Sequence, residues 1–257
     1  MVKGLDSHGI SGEIRCRMQG RSIGRRPACS QPACSQLEID VSNVLYVEAS
    51  PREKHSFSSR VAAAFIDEYR ERNPTAVIDH LKLFEATIPE FDREAADQKM
   101  LQIVSLIAGA GSIEPVGKWA QVVREIDRLK RADKLVISSP MWNFSIPYRL
   151  KLYIDIIVQP GLTFYVDGEG VYRGLVGGKP LQLILASGSS YAARFPELGD
   201  GEKTDFQRPY LEHMARFIGF EDIRVIKIQP TRGAAVEDLP AMLDAFSREA
   251  RAAARAF

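Results

Sequence analysis

Most of this 257-residue chain lacks cysteine, an excess charge of either sign and any long hydrophobic run. The cysteines, Cys16, Cys29 and Cys34, all lie in the first 40 residues, so the remainder cannot depend on a disulfide. The formal net charge of +1 gives no support for binding to nucleic acid or a membrane surface. No apolar run approaches the ~18 residues needed to span a bilayer, and no signal peptide is apparent. We therefore expect a reducing, cytoplasmic setting.

Nucleotide-binding glycine motifs and metal-ligand spacing are also missing. The loop that follows the first predicted strand has neither the glycines of the dinucleotide fingerprint nor those of a nucleoside-triphosphate loop. The histidines are scattered and show no spacing typical of a metal site: His8, His55, His80 and His213. We therefore predict no metal centre.

Residues 1–40 differ in composition from the rest of the chain. They are rich in arginine, poor in acids, and contain Pro-Ala-Cys-Ser-Gln twice in tandem, at 27–31 and 32–36. Such a segment buries too little apolar surface to offset its ordering entropy, so we predict a disordered N-terminal extension. A metal site at Cys29 and Cys34, a targeting peptide and a basic interaction arm stay open as alternatives, although two cysteines without nearby histidines are a poor zinc site.

From residue 43 onward, short apolar strands alternate with amphipathic helices. Val61, Phe65 and Tyr69, for example, recur at the i, i+4, i+8 spacing of one helix face. The pattern predicts strands at 44–47, 75–81, 134–139, 181–186 and 222–229. It predicts helices at 58–72, 93–108, 115–131, 146–158, 210–218 and 237–257. Residues 159–179 are expected to be irregular, with a hairpin turn at Asp167-Gly168.

This alternation is typical of an α/β fold with a parallel sheet and helices on both faces. Five strands suit the flavodoxin-like order 2-1-3-4-5, in which a ligand binds beside strands one and three. No linker is visible after the extension. We therefore predict one flavodoxin-like domain over residues 41–257.

Three loops at the carboxyl ends of predicted strands carry candidate binding residues. In the first, Ser56 and Ser58 precede a helix whose amino terminus suits an anion such as phosphate, although this loop taken alone favours Ser58 acting only as a helix cap. The second loop, Met141-Trp142-Asn143-Phe144, offers flat apolar surface with one amide that suits an isoalloxazine ring; a packed hydrophobic loop is the alternative. In the third, residues 187–190, small side chains let a planar ring approach the backbone, as they do in an ordinary polar turn.

These stretches resemble the FMN-dependent NADH-azoreductases, which are also NADH:quinone oxidoreductases of the flavodoxin-like superfamily. The resemblance is carried by Pro-Met-Trp-Asn-Phe-Ser-Ile-Pro at 140–147 and its continuation to Phe164. Ser50 and the Ser56-x-Ser58 pair match the family's phosphate loop, and residues 174–179 and 209–211 are similar as well. The similarity covers about residues 43–240.

The resemblance implies that FMN is the cofactor and that a homodimer completes the site. Ser50, Ser56, Phe57 and Ser58 would hold its phosphate, and Met141, Trp142, Asn143 and Phe144 would line its ring. The far edge of the ring would meet Ser187, Gly188, Ser189 and Ser190, although some relatives carry Ser-Arg-Gly-Gly there. Phe164 would form a wall of the substrate pocket.

The activity that the resemblance implies is a ping-pong oxidoreduction. NADH or NADPH would give hydride to FMN, and a quinone or azo compound would then take two electrons. The flavin supplies the chemistry, so no catalytic side chain is assigned. A non-enzymatic electron carrier and a regulatory protein without cofactor are alternatives, but carriers that dock on redox partners are expected to be strongly charged.

Overall fold

A parallel sheet of five strands forms the centre of the fold. The strands of the chain are β1 (Asn43–Glu48), β2 (Val77–Lys82), β3 (Lys134–Pro140), β4 (Phe164–Val166), β5 (Tyr172–Gly174), β6 (Leu181–Ala186) and β7 (Ile223–Ile228). The sheet has the order β2-β1-β3-β6-β7, and every neighbouring pair is parallel. Because β4 and β5 lie outside it, this is the predicted order 2-1-3-4-5, which confirms the flavodoxin-like fold.

The computed structural model of the protein describes residues 42–107, 114–189, 204–232 and 235–257. The predicted N-terminal extension, the end of the helix at 93–108 and Ser190 lie outside these ranges. Within them, the bounds of strands and helices agree with the sequence-based bounds to about two residues, the usual disagreement between assignments.

Helices cover both faces of the sheet, as predicted. They are α1 (Phe57–Arg72), α2 (Arg93–Ile107), α3 (Gly117–Arg131), α4 (Tyr148–Ile157), α5 (Arg208–Ile218) and α6 (Leu239–Arg255). One-turn 3₁₀ helices span Glu53–His55 and Val236–Asp238. In the part of the chain that the structure describes, no helix has the length and apolar character needed to cross a membrane.

Two hydrophobic cores result because successive residues of a strand point to opposite faces. Leu45 and Val47 of β1 face a core that they share with α3, α4 and α5. Val44 and Tyr46 face the other core, which contains α1 and α6. The central strands β1, β3 and β6 are buried on both faces, which explains why their sequences are mainly apolar, whereas the edge strands β2 and β7 alternate apolar and polar residues.

The segment 159–179, expected to be irregular, contains a small antiparallel hairpin of β4 and β5. The carboxylate of Asp167 accepts hydrogen bonds from the backbone N–H groups of Glu169 and Val171, which closes the turn predicted at Asp167-Gly168. Gly174 then lies against the end of α5, where an added Cβ would come within 2.3 Å of the Gly219 nitrogen. The hairpin therefore packs on α5 and not on the central sheet.

Candidate functional site

A cavity of about 630 Å³ opens at the carboxyl edge of the sheet. It is formed by the loops that follow β1, β3, β6 and β7, which lie at the same edge because their strands are parallel. Its volume is in the range of a cofactor pocket. The lining residues are Ser50, Pro51, Arg52, Ser56, Phe57, Pro140, Met141, Trp142, Asn143, Phe144, Ala186, Gly188, Ser189, Thr231 and Arg232.

Most of the residues singled out from the sequence therefore meet in one place. The exceptions are Ser58 and Ser187, which are buried behind the lining, and Phe164, which lies elsewhere. Ser190 falls outside the described residues. The cavity also contains Thr231 and Arg232, which the sequence analysis missed.

The amino terminus of α1 opens into this cavity. Ser56 is the N-cap: its hydroxyl accepts from the Ser59 N–H at 3.4 Å and lies 3.1 Å from the Ser58 hydroxyl. The cap is therefore Ser56 and not Ser58, whose fully buried hydroxyl supports it. Since the first N–H groups of a helix have no partner within it, this end of α1 can bind an anion.

The loop after β3 makes a tight turn at Trp142–Ser145. The N–H of Trp142 donates to the Ser145 carbonyl and the N–H of Ser145 donates to the Trp142 carbonyl, each at 2.9 Å. Between them Asn143 and Phe144 have φ angles of 48° and 67°. Positive φ at both central residues defines a type I′ turn, for which asparagine is a favoured residue and phenylalanine is not.

Backbone hydrogen bonds attach this turn to its neighbours. The Met141 N–H donates to the Ala186 carbonyl at 2.7 Å, and the Phe206 N–H donates to the Phe144 carbonyl at 2.9 Å. The two bonds that close the turn do not use the N–H of Asn143. The turn is thus held from both sides in a conformation that costs free energy, a pattern concentrated at functional sites.

On the outer side of the turn, aromatic rings form a cluster. The ring centroid of Phe84 lies 5.6 Å from that of Trp142 and 5.7 Å from that of Tyr148. Tyr148 is exposed and begins α4. Trp142 lines the cavity whereas Phe84 and Tyr148 do not, so Trp142 connects this cluster to the cavity.

The loops after β6 and β7 are joined to each other. Ser187 is buried, and its hydroxyl donates to the Gln229 side-chain oxygen at 3.1 Å. The Thr231 N–H donates to the Ser187 carbonyl and the Arg232 N–H to the Gly188 carbonyl. Ser187 therefore supports the loop, while Gly188 and Ser189 line the cavity.

Phe164 belongs to the hairpin and not to this cavity. Its ring centroid lies 4.6 Å from that of Phe217 on α5 and 6.0 Å from that of Tyr172. Any role of Phe164 at a substrate pocket therefore involves a surface other than the lining described above.

Beside the cavity, a buried carboxylate is stabilised by a histidine on the edge strand. Glu48 lies at the end of β1, and its carboxylate is 2.9 Å from His80 Nε2 on β2. Burial raises the pKa of Glu48, but the hydrogen bond from His80 and the nearby positive charges outweigh it, so the pKa is lowered. The His80 ring also stacks on Tyr46 with centroids 4.4 Å apart.

A metal is not needed to explain the side chains gathered here. Within the described ranges, no group of three or more histidine, cysteine, aspartate or glutamate side chains is placed to hold a metal ion. The cavity instead offers a helix amino terminus, a strained aromatic turn and the two arginines Arg52 and Arg232.

Comparison with known proteins agrees with this architecture. A family model described as "Flavodoxin-like fold" matches residues 42–251. Among solved structures, an azoreductase from Bacillus anthracis superposes with a TM-score of 0.70 at 24% identity, over 84% of this chain and 100% of that one. At this identity the likeness concerns the fold alone.

Sequence relatives are more similar. An FMN-dependent NADH:quinone oxidoreductase of Nitratidesulfovibrio vulgaris is 45% identical over 194 residues, 74% of this chain and 88% of the relative. One from Bradyrhizobium diazoefficiens is 38% identical over 208 residues, 81% and 96% of the two chains. The chain therefore belongs to the flavodoxin-like family that includes these FMN-dependent NADH:quinone oxidoreductases.

Proposed function

We propose that the protein is an FMN-dependent oxidoreductase that transfers electrons from NADH or NADPH to quinones and azo compounds. The observation that carries the proposal is the single cavity in which an anion-binding helix terminus and an aromatic turn meet. Its relatives are named for FMN and for NADH:quinone oxidoreduction, and a structural neighbour is an azoreductase.

The residues of the cavity fit FMN chemically. Ser50, Ser56 and Phe57 surround the amino terminus of α1, where N–H groups and a partial positive charge favour the phosphate. The hydroxyl of Ser58 contacts the hydroxyl of Ser56. We therefore propose that Ser58 holds Ser56 in position and offers its backbone N–H, and not its side chain, to the phosphate.

The ring would lie against the turn after β3. Met141, Trp142 and Phe144 supply apolar surface, and Asn143 supplies an amide for polar edge atoms. Gly188 and Ser189 would approach the far edge, with Ser187 holding their loop and Ser190 adjoining it. All the FMN-binding residues that we propose belong to one domain, residues 41–257, and the partner subunit would add the rest of the site.

Bound FMN supplies the redox chemistry, since it accepts hydride and releases two electrons. The chain's own residues would bind and orient the cofactor and exclude water from it. The N–H of Asn143 remains available to a polar ring atom because the bonds that close the turn use Trp142 and Ser145. No side-chain nucleophile or acid is required.

Donor and acceptor would use the same space in turn, which gives ping-pong kinetics. We further propose a homodimer that completes the site, with Phe164 as a wall of the substrate pocket, and a cytoplasmic location. An electron carrier of the flavodoxin type is the second candidate. The formal net charge of +1 disfavours it, because carriers rely on electrostatic steering toward their partners.

The test is to purify the protein, record its absorption spectrum and assay it with NADH, NADPH and a benzoquinone. We expect yellow protein that oxidises the nicotinamide only when the quinone is added, with parallel lines in double-reciprocal plots. Yellow protein without turnover would favour the carrier. Colourless protein that does not bind added FMN would refute both.

A further inference from the structure

Two arginines line the cavity, Arg52 and Arg232, and the proposed function has given a role to neither. Arg52 belongs to the loop that leads to the helix amino terminus, where a phosphate is expected. Arg232 comes from the other edge of the sheet, on the loop after β7. Among the residues that the structure describes, neither guanidinium has a carboxylate partner, whereas Arg128, Arg224 and Arg255 are all ion-paired.

The backbone of Arg232 is held in place by the neighbouring loop. Its N–H donates to the Gly188 carbonyl at 2.9 Å. One residue earlier, both the N–H and the hydroxyl of Thr231 donate to the Ser187 carbonyl, at 3.0 and 3.1 Å. A Cβ built on Gly188 would lie 3.4 Å from the Cβ of Arg232, so a long side chain at position 188 would compete with the arginine for this space.

The arginine also lies on the same side of the sheet as the expected phosphate. The loop that carries Arg232 precedes α6, and α6 packs beside α1, since the two helices share one hydrophobic core and Arg255 of α6 forms an ion pair with Glu68 of α1 at 2.8 Å. Both helices follow a strand of the parallel sheet and therefore begin at its carboxyl edge. Ser56, the N-cap of α1, and Arg232 line the same cavity, so the two can contact one ligand there.

We infer that Arg232 is a second positively charged ligand of the phosphate that binds at the amino terminus of α1. The inference rests on the proposed function, because it needs a phosphate-bearing cofactor in the cavity. A guanidinium donates two parallel hydrogen bonds to phosphate oxygens, which a serine hydroxyl or one helix N–H cannot do. The loop after the edge strand β7 would thus contribute Arg232 to the cofactor site.

Riboflavin, which lacks the phosphate, is the probe that isolates this contact. Dissociation constants of FMN and riboflavin are measured by quenching of flavin fluorescence, with the flavin-free wild type and with Arg232→Gln. Arg216→Gln is the control, because it removes one exposed positive charge on α5 that does not line the cavity. Arg232→Lys keeps the charge but removes the paired donors.

We expect Arg232→Gln to weaken FMN binding about tenfold, the size typical of losing a charge-assisted hydrogen bond, and to leave riboflavin binding unchanged. The FMN dissociation constant of Arg232→Lys should lie between those of the wild type and Arg232→Gln, and that of Arg216→Gln should match the wild type. Equal weakening of both flavins would overturn the inference, since Arg232 would then shape the pocket. An unchanged FMN constant with a raised KM for NADH would also overturn it and assign Arg232 to the dinucleotide.

The two proposals fail in different ways. If the wild type binds FMN more tightly than riboflavin and Arg232→Gln does not change the difference, only the role of Arg232 is wrong. If the wild type binds neither flavin, the proposed function is wrong and the role of Arg232 is wrong with it.

Discussion

At the scale of single residues, the backbone of Asn143 changes what a mutation there can report. The sequence alone, with an amide side chain that suits a flavin on a loop outside the core, predicts that replacement by alanine leaves the fold intact. The φ angle of 48° revises this expectation. Asparagine tolerates the left-handed region, and alanine does so at a cost.

Replacement of Asn143 should therefore separate two effects. Asn143→Ala is expected to weaken FMN binding and to lower the free energy of unfolding by about 1 kcal/mol, because alanine strains the turn. Asn143→Gly keeps the turn conformation, so it should weaken FMN binding with little change in stability. Flavin titration and thermal unfolding measure the two effects. A glycine variant with full flavin affinity would show that the amide makes no contact.

At the scale of elements, the start of α1 combines a helix cap with the expected phosphate site. Ser56 caps the helix and also lines the cavity, so a phosphate bound there would contact the capping residue. The two roles can be tested separately only with a substitution that preserves one role and removes the other.

Asparagine and aspartate both cap helices well and differ in charge. Ser56→Asn and Ser56→Asp should thus have similar midpoints of thermal unfolding, whereas Ser56→Ala should lose about 1 kcal/mol. FMN binding should be much weaker in the aspartate variant than in the asparagine variant, because the carboxylate repels phosphate. Equal affinities in the two capped variants would place the phosphate elsewhere.

The pairing of β1 with edge strand β2 includes the contact between buried Glu48 and exposed His80. Because the pKa of Glu48 is lowered from its ordinary 4.5, the folded state gains stability above that pH and loses it as the pH falls. His80→Phe keeps a ring beside Tyr46 but removes the hydrogen bond. We expect a loss of about 1–3 kcal/mol at neutral pH.

That loss should shrink as the pH falls from 4.5, the ordinary pKa of a glutamate, through the lower pKa of Glu48 in the folded protein, where the carboxylate becomes protonated. Denaturant unfolding of the wild type and the variant at several pH values measures it. His80→Gln, which retains a donor, serves as the control and should be milder. A pH-independent difference would mean that ring packing, and not the carboxylate, dominates.

At the scale of the whole molecule, the outer face of α2 is exposed among the residues that the structure describes. Met100, Leu101 and Val104 are 57%, 67% and 53% exposed and lie on adjacent turns. Exposed apolar residues grouped in this way are typical of an interface. We therefore predict that these residues contribute to the interface of the proposed homodimer.

Light scattering coupled to size-exclusion chromatography tests this surface. The wild type should elute as a dimer and Leu101→Glu as a monomer, because a carboxylate would be buried without a partner. Val77→Glu, at a position 52% exposed on β2, should remain dimeric. A monomeric wild type would refute the homodimer, and a dimeric Leu101→Glu would place the contact on another face.

The sequence predicts the order of strands and helices well because each periodic segment reports its own burial. It also predicts which loops meet, since parallel strands bring their carboxyl ends to one edge. It could not assign the cap to Ser56 rather than Ser58, because both residue types cap helices. Thr231 and Arg232 were missed because no motif marks them; only their place after the last strand could have indicated them.

The interlocked loops after β6 and β7 have a further consequence. A ligand bound between segments as distant along the chain as Ser50 and Arg232 connects parts of the protein that separate on unfolding. The unfolding temperature and the resistance to proteases should then rise with the concentration of that ligand, by mass action. In a cell with little riboflavin, and therefore little FMN, a larger fraction of this protein would be unfolded or degraded.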